Sequence, residues 1–560
     1  MKEIIANLLR KQIGLRKEEI LSLIEIPPSP ELGDYAFPCF HLASKLRKNP
    51  NLIAQELAGK IKLTKEISQV KAVGAYLNFF INKNFLAEKV ITGVLKAKKS
   101  AGKNKGKIMT EYCHANTHKA FHIGHARNIC IGESLSRVFE FLGYKVVRAN
   151  YQGDIGMHVA RTLWGLLNLS RLKLKEPEKD KGKWLGIVYA KSSQASQDKN
   201  IAEQINQLNQ KLYSGDKKLL ALWKKTRKWS IDYFEKTIYP DFGAKFNRFY
   251  FESEVEKKGT EIVNTLLKRR IAELSEGAII MDFRNQDLGV FILLKSDKTP
   301  LYSTKDLALA ELQNKEYNPD KILHIVGSEQ NFYFKQLIKT IEAYNPGLAK
   351  KEEHISYELV VLPSGKMASR AGEVILYDDT LAKIIGLIKA EIKKRESKIS
   401  ASELEKRAKK IALGAVKYAM LSQDVKKSIV FNEHEITRFE GNTGPYLQYS
   451  YARASSILKK AKRTLKHDKL KIIDLKEQEI TLIKKLGEFP EVIKKTNAQL
   501  NPSILANYSF ELSQSFNEFY HSCQVIGSSE ESFRLSLVQA FRIVIKQALF
   551  LLGIDVLEEM

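Results

Sequence analysis

One stretch limits the fold more than any other. Ile108–Cys113 (IMTEYC) is a short apolar run, and a polar turn, HANTHKAFH, follows it. A helical pattern then continues to Leu142–Gly143, and Tyr144–Ala149 (YKVVRA) reads as a second strand. Strand, turn, helix and strand within about 40 residues form a βαβ unit, which needs a parallel sheet with helices packed on it. Later strand candidates are Lys321–Val326 and Ile355–Leu362. Residues 155–300 lie between these halves and have mixed character, with a polar, mostly helical middle at 171–230. They read as an insertion in an α/β sheet.

The flanks differ from this core. At the N-terminus Ile4, Ile5, Leu8, Leu9 and Ile13 recur at helical spacing, and Pro27, Pro28 and Pro30 then break the chain. Residues 38–60 read as helix and Ala72–Ile81 as a strand, which makes a small α+β module. Leu95–Lys107 carries six lysines and two glycines and almost nothing to bury, so it reads as a linker. After Glu391 apolar residues recur at three and four through Ile411–Leu421, Tyr446–Leu458, Ile480–Leu486 and Leu535–Leu552. A helical bundle is the natural packing. The expected domains are therefore 1–97, 105–395 and 396–560.

Charge narrows the choice of partner. The 560 residues carry 91 Lys and Arg against 64 Asp and Glu, a formal charge of +27. The excess is uneven: residues 1–100 hold 17 basic against 9 acidic groups and 401–500 hold 21 against 12, whereas 501–560 are net acidic. Two separated basic regions suit a polyanion larger than a nucleotide. The cysteines, Cys39, Cys113, Cys130 and Cys523, form no CxxC pair, so neither zinc nor a disulfide framework is expected. No apolar run approaches the ~18 residues of a membrane span, and MKEIIANLLRKQ lacks a signal-peptide core. A cytoplasmic protein with no membrane contact is the expectation.

Two short stretches carry the chemistry. His122-Ile123-Gly124-His125 falls where the first strand turns into its helix. A helix N-terminus offers free N–H groups and a positive dipole end, both suited to phosphate. Lys119 adds charge just before it, and Gly124 leaves room for a flat base. Pro363–Gly372 (PSGKMASRAG) follows an apolar strand and brings Lys366 and Arg370. A cationic loop there can meet developing phosphate charge. A pair of histidines on a helix is by itself usually packing or surface, though its place after a strand favours a site, and PSGKMASRAG alone reads first as an ordinary basic surface loop.

Together they resemble the HIGH and KMSKS motifs of class I aminoacyl-tRNA synthetases, and further segments extend the resemblance to the arginyl-tRNA synthetase family. EYCHANTHKAFHIGHARN is similar to that family's Ser-Pro-Asn and HIGH segment, NYQGDIGMH (150–158) to its Gly-Asp-x-Gly segment, and LYSTKDLALA (301–310) to its Tyr-x-x-x-Asp helix. FEGNTGPYLQYSYAR (439–453) resembles the opening of its anticodon-binding bundle, and SPELGDYAFP (29–38) with VGAYLNFFI (73–81) its extra RNA-binding domain. The implied fold is a multidomain α/β protein. It has a Rossmann-like catalytic core with an insertion, an N-terminal α+β tRNA-binding domain and a C-terminal all-α anticodon-binding bundle.

The resemblance also implies roles. His122, His125, Lys119, Lys366 and Arg370 would serve activation, with Gly124 and Met367 completing the ATP site. Glu111, Asn116, Tyr302, Asp306 and Gln330 would bind arginine, since a guanidinium pairs best with carboxylates. Gln336 is a rival for the Gln330 role. Tyr76, Phe79, Tyr449 and Arg453 are candidates for tRNA contact. The partners are ATP with accompanying Mg2+, L-arginine and tRNA(Arg), acting on a monomer, and activation is expected to need bound tRNA. Ser-Pro-Asn stands here as His114-Ala115-Asn116 and loses its proline. The alternatives are a class I synthetase for another amino acid and a non-catalytic tRNA-binding relative.

Overall fold

The computed structural model describes residues 1–96, 105–363, 375–461 and 474–560. It divides into two compact units, one formed by residues 1–97, 456–489 and 512–544, the other by 98–455, 490–511 and 545–560. These do not follow the three sequence segments, because helical residues from the C-terminal part cluster with the N-terminal ones.

The first unit contains a three-stranded antiparallel sheet of β1 (Tyr35–Pro38), β2 (Ile67–Val73) and β3 (Tyr76–Ile81), in the order β1-β3-β2. Ala72–Ile81 is thus not one strand but the end of a hairpin, and Gly74 takes φ 57° at its turn. The helix expected over 38–60 is likewise two, Phe40–Leu46 and Pro50–Lys60. Pro50 starts the second, where its missing N–H costs nothing, and Asn49 Oδ1 accepts from Asn51 N at 2.9 Å. Ile5, Leu9, Phe37, Leu77 and Phe79 form the core.

The second unit is built on a five-stranded, wholly parallel sheet. Its strands are β4 (Lys107–Glu111), β5 (Lys145–Gln152), β6 (Arg248–Phe251), β10 (Lys321–Gly327) and β11 (Glu352–Tyr357). Their order is β11-β10-β4-β5-β6. The chain enters at the centre, moves outward to β6, then returns to the other side of β4. The reversal between β4 and β10 leaves a crevice at the carboxyl ends of the strands, where such sheets bind ligands. Between β6 and β10 lies a small antiparallel sheet of β7 (Glu273–Ser275), β8 (Ala278–Phe283) and β9 (Gly289–Leu294).

Two expectations change here. Residues 155–300 are not simply an insertion, since β6 pairs with β5 from Ala149↔Arg248 to Gln152↔Phe251 and completes the core sheet. The polar helices Lys181–Ala195, Lys199–Tyr213 and Lys217–Tyr233 are the inserted part. The strand at Ile355–Leu362 is two: β11 ends at Tyr357, and β12 (Val360–Val361) pairs instead with β13 (Ile429–Val430). Among the described residues of the C-terminal segment the regular structure apart from β13 is helical, as its periodicity implies. No helix among the described residues is long and apolar enough to cross a membrane.

Candidate active site

The site gathers at the carboxyl ends of β4, β5, β6 and β10. At its nucleotide end the Ile123–Phe141 helix follows β4, with His122 extended at its N-cap. The His122 N–H donates to His125 Nδ1 at 3.2 Å, and the two rings stack with centroids 3.7 Å apart. A Cβ on Gly124 would stand 3.0 Å from His122 Nδ1, so glycine lets that ring fold back over the helix start. Burial and the Lys119 charge push His122 down to about 4, and burial with His122, Lys119 and His114 holds His125 well below its ordinary value. Both imidazoles are therefore neutral near pH 7, and the positive charge comes from Lys119 and the helix dipole. His122 Nδ1 is buried with no hydrogen-bond partner. Lys119 itself lies over the Tyr189 ring at 5.5 Å, and Gly186 of the same inserted helix packs against Ala120.

Lys366, Met367 and Arg370 lie outside the described residues. The described segments on either side of them are anchored at the HIGH helix. Ile123 N donates to Ile375 O at 3.2 Å, and Tyr377 N to Phe121 O at 3.0 Å. Arg127, fully buried, donates to the carbonyls of Glu358 (2.5 Å), Leu359 (3.3 Å), Asp424 (3.2 Å) and Lys427 (2.9 Å).

The other end is rich in carboxylates. Asp306 sits on the Tyr302–Tyr317 helix, and its Oδ2 accepts from Tyr333 Oη at 2.5 Å. Its Oδ1 is buried without a partner, and so is Tyr151 Oη on β5. Burial, and next the charges of Glu111 and Glu252, push Asp306 up to about 7. An unpaired carboxylate oxygen with no solvent is costly, and a bound cation relieves it. Tyr302, one turn back, is 64% exposed.

Glu111 is already engaged on both carboxylate oxygens. Its Oε2 accepts from Gln313 Nε2, and its Oε1 accepts from His324 Nδ1 at 2.9 Å. His324 Nε2 also donates, to Glu352 at 2.5 Å, so the ring carries both protons. Burial opposes both charges, but the imidazolium holds Glu111 down at about 2, and the carboxylates hold His324 well above its ordinary value. The parallel register sets Glu111 directly opposite His324, which turns its side chain to that partner. The Glu111 charge also reaches the pocket, where it helps to raise Asp306.

The carboxylate missed in the sequence is Glu252, the first residue of the Glu252–Lys268 helix after β6. It is buried and ion-paired to Lys305 at 2.8 Å. A Cβ on Gly153 would lie 2.5 Å from Asn116 Oδ1 and 3.0 Å from Glu252 Oε1, so these two residues converge on that glycine. Asn116 Oδ1 accepts from Gly153 N at 3.1 Å. Gln330 is exposed just past the end of β10, whereas Gln336 is spent on the carbonyls of Leu288 (2.7 Å) and Val290 (3.3 Å). The signal for Glu252 was RFYF-ES, a very short aromatic strand followed by an acidic helix start.

Of the tRNA candidates, Phe79 is 0% exposed, because with Leu77 and Ile81 it lies on the face of β3 that packs into the core of the module. It is a core residue. The accessible aromatics are Tyr76, 36% exposed, and Phe40, 44% exposed, set edge to face at 5.8 Å. Tyr449 and Arg453 pair with each other on one helix, Nη2 to Oη at 3.1 Å with the guanidinium over the ring. All four cysteines are free and buried. Among the described residues no group of three or more His, Cys, Asp or Glu is placed to hold a metal ion.

A parallel sheet reversing at β4, with HIGH at the first helix start, is the catalytic architecture of class I aminoacyl-tRNA synthetases. The tRNA synthetases class I (R) catalytic domain matches residues 88–433, the DALR anticodon binding domain 447–560 and the arginyl tRNA synthetase N terminal domain 1–81. The chain is 36% identical over 569 residues to the arginine–tRNA ligase of Clostridium perfringens, covering 100% of both. It is 35% identical over 560 residues to that of Treponema denticola, covering 96% of this chain and 94% of the relative. Among solved structures it superposes on Thermus thermophilus arginyl-tRNA synthetase with a TM-score of 0.81 at 25% identity, over 100% and 99% of the two chains. The Plasmodium falciparum arginyl-tRNA synthetase shares the fold, with a TM-score of 0.78 at 21% identity, over 100% and 98%. The chain belongs to the arginyl-tRNA synthetase family.

Proposed function

We propose that this member of the family activates L-arginine with ATP and passes it to tRNA(Arg), with Asp306 as the carboxylate that selects the guanidinium. The observation that carries this is Asp306 Oδ1, a buried acceptor with no partner beside the equally unpartnered Tyr151 Oη. A planar fork of N–H donors satisfies both. Asn116 and Gln330 serve the α-amino and carboxylate end, Tyr302 covers the open side, and Glu252 adds a second charge across the pocket.

In activation the arginine carboxylate attacks the α-phosphorus of ATP, and the bond to the β-phosphate oxygen breaks to release pyrophosphate. Two anions must be held in line, so positioning and charge neutralisation dominate. His122 and His125 give hydrogen bonds as neutral imidazoles. Lys119 and the first N–H groups of the Ile123–Phe141 helix supply the positive field. Lys366 and Arg370 are assigned to the leaving phosphates by family resemblance alone. Magnesium escorting ATP would supply further neutralisation of the phosphate charge. The arginyl group then moves to the 3′-terminal adenosine of the tRNA. We read 1–97 as a tRNA-binding module, 105–395 as the catalytic one and 396–560 as the anticodon-binding one, in a cytoplasmic monomer.

The test is ATP-dependent charging of unfractionated tRNA with each of the twenty amino acids in turn. Charging by arginine alone is expected. Charging by lysine, a point charge with no planar fork, would overturn the pocket assignment.

A further inference from the structure

We infer that Asp154, in the Gly-Asp-x-Gly segment, is a positioning residue that works with Arg227 of the inserted Lys217–Tyr233 helix to fix Glu252 in the arginine pocket. The inference rests on the proposed arginine pocket and extends it to residues that touch no substrate. Asp154 is 0% exposed.

The geometry is specific. The Glu252–Lys268 helix starts without a capping side chain of its own, because Phe251 holds the N-cap position. Its first N–H groups need an acceptor from elsewhere. Asp154 provides one: Ser253 N donates to Oδ1 at 2.9 Å and Ser253 Oγ to Oδ2 at 2.7 Å. A carboxylate at a helix N-terminus also meets the positive end of the dipole.

Asp154 is in turn held by the insertion. Arg227 Nε stands 3.0 Å from Oδ2, and its guanidinium lies over the Phe251 ring at 3.9 Å. From the same helix Trp223 Nε1 donates to the Asp154 carbonyl at 2.6 Å. Gly153, the preceding residue, fills the space between Asn116 and Glu252 with no side chain to spare. Two adjacent residues therefore set both ends of the pocket. Gly153 spaces Asn116 from Glu252, and Asp154 fixes the helix turn from which Glu252 projects. The insertion helix thus reaches the Glu252 side of the pocket through this pair, while its Ser230 and Thr226 hold His118 beside the Asn116 side, so it acts on arginine affinity through residues that position the pocket.

The experiment measures arginine and ATP KM and kcat in the charging reaction, with melting temperature alongside, for Asp154→Asn, Arg227→Gln, Arg227→Lys and Glu252→Gln. Asp154→Asn and Arg227→Gln are expected to raise arginine KM about tenfold, the scale of one lost charge-assisted hydrogen bond, with ATP KM and kcat within about twofold. Arg227→Lys restores most of the loss. If Glu252→Gln raises arginine KM but Asp154→Asn and Arg227→Gln do not, or if they disturb arginine and ATP alike, the positioning role is overturned while the pocket stands. If Glu252→Gln leaves arginine KM unchanged, the pocket itself is wrong and this inference falls with it. Should Asp154→Asn fail to fold, Arg227→Gln decides alone, since its side chain is partly exposed and its loss empties no core.

Discussion

The two ends of the catalytic crevice are built in opposite ways. The nucleotide end comes from one continuous run, residues 107–128, in which a strand, a turn and a helix start bring His122, His125 and Lys119 together by local geometry alone. The arginine end is assembled from Asn116 after β4, Tyr151 and Gly153 at β5, Glu252 after β6, Asp306 and Tyr333, spread over more than 200 residues. The electrostatics differ as well. Burial drives the histidines neutral at the first end, while at the second it drives a carboxylate toward its neutral form and leaves it waiting for a cation. A generic substrate such as ATP is met by a compact motif with weak individual charges. A specific one is met by a desolvated acid whose cost is relieved only by the correct partner.

The sharpest way to break this contrast is Asp306→Asn. Removing one partner of a buried charge pair costs about 3 kcal/mol, so kcat/KM for arginine is expected to fall by more than a hundredfold while ATP KM stays within about twofold. Stability moves the other way. A carboxyl pushed up to about 7 stabilises the fold below its unfolded value near 4, and that contribution is lost as pH rises through 7. The Asn variant should therefore melt no lower than the parent at pH 8, and a large loss of melting temperature there would refute the picture of a costly, waiting acid.

His122→Ala tests the other end. Its loss should lower the activation rate by about a hundredfold to a thousandfold, as for one removed donor at a developing charge, and leave arginine KM unchanged. Because His122 sits at about 4, kcat at saturating substrates should show no inflection between pH 5 and 7. A protonation step in that window would mean the imidazole works as a cation.

The same division explains what could be read from the chain alone. The βαβ unit, the HIGH turn and the C-terminal helices were legible because each depends on neighbours within a few turns. Glu252 was not, since β6 is only four residues and looked like part of an insertion until its pairing with β5 was seen. Glu111 was legible as an acid on the first strand and a candidate for arginine, but its burial and its partner were not: only the register against β10 reveals that His324 faces it. Phe79 failed for a related reason, because only the packing of the module's helices shows that the Leu77, Phe79 and Ile81 face of β3 is the buried one.

Arginine affinity should depend on pH in a direction fixed by Asp306. Binding needs the carboxylate ionised, and in the free enzyme it takes up a proton below about 7. Arginine KM should therefore rise as pH falls, by about tenfold per unit well below 7, and level off above 8. ATP KM should not follow. The guanidinium keeps its proton throughout, so the slope belongs to the protein, and Asp306→Asn should abolish it.

The smallest effect is expected far from the chemistry, at the exposed rings of the N-terminal sheet. Base stacking on an aromatic is worth about 1–3 kcal/mol, and Phe40 and Tyr76 share one edge-to-face pair. Each ring to alanine should thus raise tRNA KM severalfold or more, with melting temperature and arginine KM unchanged, because neither is part of the core. Phe79→Ala should do the reverse, unfolding the module through a cavity in its centre. If Phe40→Ala left tRNA KM untouched in a charging assay at physiological salt, the exposed pair would be a surface ornament, and tRNA affinity at this module would rest on lysine and arginine charge alone.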